Sequence, residues 1–331
     1  MNMKIIYNLA ITLLLISYSS RNLWGADLLP PLVKKDTKIT FHVVTDDGKP
    51  IKNILLYNWS QKGLDEGSPL YDKSSGTTGS NGVVTLSLPS FLGLCEYGVR
   101  NIPGYYSTGG NYQFTNSVGG KWQPWNPNVD VVVKPILNPI PMYAQAVRLS
   151  LPAKNTPVGF DLEAGDWIAP YGKGVASDFI FTLADKVPFV DPSQPYDVTN
   201  TISFSNKGDG IQSVIAPLNQ GSALRLPRYD LEGGYQPTLV QELALNGNKR
   251  LNGADGEDQN YIFRVRSILD ESGNVKSALY GKISGPILCG AQGYIQFTYY
   301  LNPTPNDRNM EFDPNKNLFQ NLTDDQQVKA P

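Results

Sequence analysis

Lys38-Ile39-Thr40-Phe41-His42-Val43-Val44-Thr45, followed by Asp46-Asp47-Gly48-Lys49-Pro50, decides the structural class of this protein. Ile39, Phe41 and Val43 alternate with Thr40, His42 and Val44. That is the period of two of a strand with one buried face, and β-branched side chains suit it. The five residues that follow read as a turn. Asp bonds its own backbone, Gly accepts positive φ, and Pro sets the exit. A second strand is predicted at 54–57, then a polar, glycine-containing loop at 63–82, then a third strand at 83–88. Further strands are predicted at 97–101, 112–114 and 129–133.

The pattern stays β beyond residue 142. Strands are predicted at 143–149, 178–183, 201–205, 261–268, 278–283 and 294–301. The clearest is Tyr261-Ile262-Phe263-Arg264-Val265-Arg266-Ser267-Ile268, with Tyr261, Phe263 and Val265 on one face. Asp270-Glu271-Ser272-Gly273-Asn274 then reads as the turn of a hairpin. Helical periodicity is confined to 238–245, where one or two turns are expected, and 324–331 is expected to fray. Short strands punctuated by turns imply an all-β chain of two sandwich-like domains. The boundary falls at Asn138-Pro139-Ile140-Pro141, where two prolines enforce an extended link. The expected units are 36–138 and 139–331.

Composition agrees. The 331 residues include 31 Gly and 25 Pro, too many for long helices and suited to frequent turns. Apolar residues reach 40% and the net charge is only −2, which excludes a disordered chain and leaves no basic excess for nucleic acid. One histidine and two cysteines remove most zinc sites and any mechanism that needs two imidazoles. No cofactor is expected. His42 is read as a residue of the less buried strand face.

Residues 1–25 read as an export signal. Lys4 precedes an apolar run from Ile5 to Ile16, and a polar stretch leads to Gly25 and Ala26. The apolar run is shorter than the roughly 20 residues that span a bilayer. No later segment is apolar enough to span, so a secreted or periplasmic chain is expected. In such a compartment Cys95 and Cys289 read either as two separate buried thiols, the preferred reading, or as a disulfide.

The order of motifs in the first unit carries a resemblance. An alternating strand, Asp46-Asp47-Gly48-Lys49-Pro50-Ile51, a second strand, Thr78-Gly79-Ser80-Asn81-Gly82-Val83 and Pro103-Gly104-Tyr105-Tyr106 together resemble the carboxypeptidase regulatory-like family. The resemblance implies a seven-stranded transthyretin-like (prealbumin-like) sandwich and a non-catalytic module. Gly165–Gly174 and Tyr299–Asn309 resemble phrases of secreted bacterial proteins, a likeness that implies no activity.

Four aromatic residues are the candidate ligand-binding positions. Trp122 and Trp125 stand among prolines in Lys121-Trp122-Gln123-Pro124-Trp125-Asn126-Pro127. They read as a shelf for a sugar ring or proline-rich peptide, or as a packed loop. Trp167 and Tyr171 lie close to Asp161, Glu163 and Asp166, a mix found at sugar sites and in ordinary turns. Gly172-Lys173-Gly174 lacks the order of a phosphate loop. The run 252–260 is rich in oxygen ligands but does not match an EF-hand; it is read as a solvated loop, with calcium as the alternative. The sequence therefore predicts a non-enzymatic binding or structural protein of the envelope or exterior, with a glycan or envelope protein as partner. The alternative is a carbohydrate-active hydrolase with a carboxylate pair in the second unit.

Overall fold

The structure is a computed structural model that describes residues 33–331 apart from 66–67, 218–220, 247–248, 253–255 and 257. The export signal expected at 1–25 lies outside the described residues, as do 253–255 and 257 of the oxygen-rich loop. The first part of the chain forms β1 (Lys35–Thr45), β2 (Leu55–Asp65), β3 (Ser68–Thr77), β4 (Val83–Ser90), β5 (Leu94–Val99), β6 (Thr108–Gln113), β7 (Asn116–Val118), β8 (Lys121–Gln123) and β9 (Asn128–Val133). The rest forms β10 (Tyr143–Ser150), β11 (Val158–Asp161), β12 (Asp166–Trp167), β13 (Phe179–Val187), β14 (Tyr196–Ser203), β15 (Gly210–Ile215), β16 (Gly221–Ser222), β17 (Thr238–Asn246), β18 (Lys249–Asn252), β19 (Gln259–Leu269), β20 (Val275–Ile283), β21 (Leu288–Cys289) and β22 (Tyr294–Asn302). The one helical element among the described residues is a 3₁₀ turn at Pro314–Lys316. The chain is all-β, and no helix among the described residues is long and apolar enough to cross a membrane.

Two sheets enclose the first core. One runs β4-β1-β8-β7, with β9 parallel to β1; the other runs β16-β6-β5-β2-β3. Ile39, Phe41 and Val43 point inward and meet Leu56, Leu86 and Val99 there. The turn after β1 forms as its residues dictate: Gly48 has φ +80° and Thr45 N donates to Lys49 O. Gly82 is required by both conformation and space. Its φ is +74°, and a Cβ there would stand 2.7 Å from Val43 O.

Two segments differ from the sequence reading. The expected polar loop at 63–82 is mostly strand, because β2 runs on to Asp65 and β3 pairs with it from Leu55↔Thr77 to Asp65↔Ser68. Alternation is absent there because none of residues 70–77 is buried, and the end of β2 that precedes them carries Asn58 and Ser60 on its inner face. Ser60 Oγ donates to Ser90 Oγ at 2.8 Å. Residues 238–245 are strand rather than helical turns. Eight consecutive pairs with β14, from Tyr196↔Leu245 to Ser203↔Thr238, override the local pattern.

The second core lies between β10-β22-β20-β19-β15 and β12-β11-β13-β14-β17-β18. Its centre is aromatic: Phe160, Phe179, Phe181, Phe263 and Phe297 meet with ring centroids 5.0–6.3 Å apart. The outer face of the β22–β20 region is covered as well. Tyr299 enters the main core, while Tyr300 enters a third cluster with Met142, Met310, Phe312 and Val328. The C-terminal segment supplies that cover. Asn317 mimics a strand partner for Ala144, its Oδ1 accepting from Ala144 N at 3.2 Å and its Nδ2 donating to Ala144 O at 2.8 Å. Ala146 N donates to Gln326 O, Val328 is buried, and Tyr300 Oη donates to Ala330 O. The end of the chain is thus docked rather than frayed.

The two bodies meet through a polar joint. β16 adds to β6 at the edge of the first sandwich, so residues 221–222 return to it from the far side of the connector. Glu311, fully buried, accepts from Tyr106 Oη at 2.8 Å and from the backbone N–H groups of Leu137 and Asn138 at 3.0 and 2.9 Å, and it pairs with Arg228. Burial alone would raise its pKa, but Arg228 and the two amides bring it below the ordinary value. Lys282, also buried, donates to Met310 O at 2.7 Å and stands 4.5 Å from the centre of the Tyr300 ring. Cys95 and Cys289 are both free, the first in the core of the first sandwich and the second packed against the other.

Candidate functional site

Two of the carboxylates near Trp167, Asp161 and Glu163, close with Asp178 around one cation. Arg266 sits at a bulge of β19 with φ +55°, a conformation seldom adopted by a residue with a side chain. Its guanidinium lies 2.8 Å from Asp178, 3.2 Å from Asp161 and 2.8 Å from Glu163. Asp161 also accepts from the N–H groups of Glu163, Ala164, Val175 and Ala176 at 2.9–3.1 Å. Burial acts to raise its pKa, and these four amides outweigh it and hold the carboxyl below its ordinary value. Asp178 goes the other way, raised because burial exceeds the effect of Arg266. Asp166 accepts from Trp167 N at 2.8 Å and Lys173 N at 3.1 Å. These groups shape the 161–178 loop, so Asp161 and Asp166 are occupied by backbone donors.

The four expected ligand-binding residues divide by burial. Trp167 is 4% exposed and belongs to the second core, edge-on to Phe160 and Phe181. β12 pairs with β11, which places this ring in the core rather than at the surface. Tyr171 is exposed at the tip of the same loop. Trp122 is half-buried against the first core. Its Nε1 donates to Ser90 O at 2.9 Å, and a Cβ on Gly93 would stand 2.9 Å from its ring. Trp125 is exposed, with Lys121 Nζ 4.8 Å from its ring centroid. Trp122 and Trp167 belong to different cores, so the four do not form one shelf. His42 lies on the outer face of β1, with Nδ1 3.7 Å from Asp130 Oδ1.

A further apolar and aromatic row lies on the outer face of β16-β6-β5-β2-β3. Leu55, Tyr57 and Trp59 follow one another at every second position of β2, and Leu55 and Tyr57 are each 44% exposed. Tyr57 pairs with Gly98 on β5, Gly98 with Gly109 on β6, and Gly109 with Gly221 on β16. Directly paired residues share a face, so three glycines in register make a floor beside the aromatic row. The Trp59 ring leans over this floor, its Cη2 3.6 Å from where a Gly98 Cβ would stand. Its Nε1 donates to Glu96 Oε2 at 2.5 Å, and the Arg100 guanidinium lies 5.9 Å from the ring. Covering a strand glycine explains Trp59 in part. It does not explain why Leu55 and Tyr57 face solvent. Trp59 escapes sequence reading because the strand that carries it looks finished at Tyr57.

Comparisons with known proteins add little. No family model matches the chain. No curated protein matches it either. Among solved structures, the 3-chlorocatechol 1,2-dioxygenase of Rhodococcus opacus is similar at 10% identity over 38% of this chain and 78% of its own, with a TM-score of 0.25. The major pilin subunit BcpA of Bacillus cereus is similar at 10% identity over 80% and 67%, with a TM-score of 0.22. The major pilin SpaA of Corynebacterium diphtheriae is similar at 10% identity over 79% and 83%, with a TM-score of 0.21. Likenesses this weak bear on neither fold nor function.

Proposed function

We propose that this chain is a non-catalytic binding or structural protein of the cell envelope or exterior, exported by the signal at 1–25. In this reading it is built as two β units, 36–138 and 139–331, the first of them transthyretin-like. Its partner, a glycan or an envelope protein, meets the outer face of β2. The observation that carries the reading is the row Leu55–Tyr57–Trp59, the first two exposed and the third half-buried, beside three glycines in register. Flat rings beside strand positions that carry no side chain offer apolar contact to the C–H face of a sugar or to an extended peptide. Glu96, Arg100 and Lys73, which pairs with Trp59, border the row and supply polar contacts. Trp125 and Tyr171 are further exposed rings in this proposal. Hydrolysis by the carboxylates near Trp167 is the weaker reading, since Asp161 and Asp166 hold backbone amides.

A glycan array and a capture experiment from envelope extract test the reading. The expected result is a ligand retained by the purified protein and lost by the Tyr57→Ala/Trp59→Ala pair. Binding that survives both substitutions, or no ligand in either format, overturns it.

A further inference from the structure

β10 ends its sheet, because it pairs with β22 on one side only, from Tyr143↔Leu301 to Ser150↔Tyr294. The backbone groups of alternate residues therefore point away from the sheet, and here these are Met142, Ala144, Ala146, Arg148 and Ser150. The first three are capped in succession by the C-terminal segment. Leu318 N donates to Met142 O at 3.0 Å. The Asn317 carboxamide serves both groups of Ala144, at 3.2 and 2.8 Å. Ala146 N donates to Gln326 O at 3.0 Å. Among the described residues, no backbone partner meets Arg148 or Ser150 on that side.

The cap is held lightly at its far end. Of residues 320–331 only Val328 is buried. The hydrogen bonds from this stretch to the body are those accepted by Gln326 O and Ala330 O. Arg148 also attracts the exposed Asp325. A segment with so few buried contacts opens more easily than the sheet it covers. An edge left open presents unpaired N–H and C=O groups, which is a template for another strand.

The strand that fits is β10 itself. In an antiparallel pair with Ala146 opposite Ala146, the outward groups of both strands face each other. Ala144 then meets Arg148, and Met142 meets Ser150. On the core side Tyr143 meets Leu149 and Gln145 meets Val147. Arg148 is the one charged residue of β10, so no like charges are placed opposite each other. We propose that residues 317–331 are a strap over a self-pairing edge, and that lifting the strap lets β10 pair with β10 of a second copy about a two-fold axis at Ala146. The two sheets would then run on as one. The contact is independent of the β2 face.

Analytical ultracentrifugation and hydrogen exchange of the full chain test this. Asn317→Ala/Val328→Asp unseats the strap at both ends and should strengthen dimerisation at least about ten-fold over the unaltered chain. The Arg148 amide, open under the strap, should exchange at least about ten-fold more slowly in the dimer. Adding Ala146→Pro removes the N–H at the two-fold axis, at an edge position that tolerates proline, and should restore the monomer. Asn317 is only half-buried, so Asn317→Ala alone remains informative where the double variant fails to fold; it should show the same dimer more weakly. Three outcomes overturn the proposal: a folded strap variant that dimerises no more tightly than the unaltered chain; a dimer indifferent to Ala146→Pro; or a dimer in which the Arg148 amide exchanges as fast as in the monomer, which places the contact elsewhere.

Discussion

The outer faces of two sheets in this molecule have opposite fates. Behind β22 and β20, Tyr300 and Tyr280 are covered by Met310, Phe312 and Val328 from the chain's own C-terminal segment. Over β2, Leu55 and Tyr57 face solvent, and the β5 residue paired with Tyr57 is Gly98. Both sheets are antiparallel across those strands and pack one face on a hydrophobic core. The difference teaches that apolar side chains on both faces of a strand do not themselves say whether the second face is core or contact surface. A distant segment decides that by covering it or not.

The comparison can be broken most sharply from the covered side. Phe312 is fully buried and edge-on to Tyr300. Phe312→Ala should cost about 3–5 kcal/mol and expose the back of β22, read by denaturant unfolding. Arg228→Met leaves the buried Glu311 without its cation and should cost about 3 kcal/mol in the same measurement. A loss of less than about 1 kcal/mol in either case would mean that the C-terminal cover contributes little.

A pH titration sharpens it further. Burial lowers the Lys282 pKa from 10.5 to about 7 in the folded chain. The unfolded chain therefore holds this proton more strongly between those values, and stability from this residue rises with pH across that window. Lys282→Met should remove the rise, a change of a few kcal/mol seen as a flattened stability profile above neutral pH. An unchanged profile would mean that Lys282 stays charged beneath the cover. The smallest effect is expected on the open side. Tyr57→Ala should change stability by no more than about 0.5 kcal/mol while weakening ligand capture. A loss as large as that of Phe312→Ala would show that the open row is a structural face after all.

Much of the fold is legible from side-chain periodicity. β1, β4, β10, β19 and β22 all show it, and β19 shows why: Tyr261, Phe263 and Val265 enter one core together. The hairpin from β19 to β20 is equally local, since Asp270 Oδ1 accepts from Ser272 N and Asn274 N. β3 is not legible, because none of its residues 70–77 is buried and it therefore carries no apolar alternation. Of the candidate sites, Trp125 and Tyr171 are exposed as a binding role requires, whereas Trp167 is not. Burial of a short strand such as β12 depends on the strand it lands on.

By itself, the sequence determined an all-β chain, its main strands and its turns, because these depend on residues a few positions apart. Only the tertiary structure decided which faces are covered, where the carboxylates point and how the two bodies join. Tyr106 meets Glu311 from 205 positions away, and Arg266 meets Asp161 from 105. Partners so distant leave no periodic mark on either segment, and it is they that turn Asp161 and Glu311 into fixed structural anions.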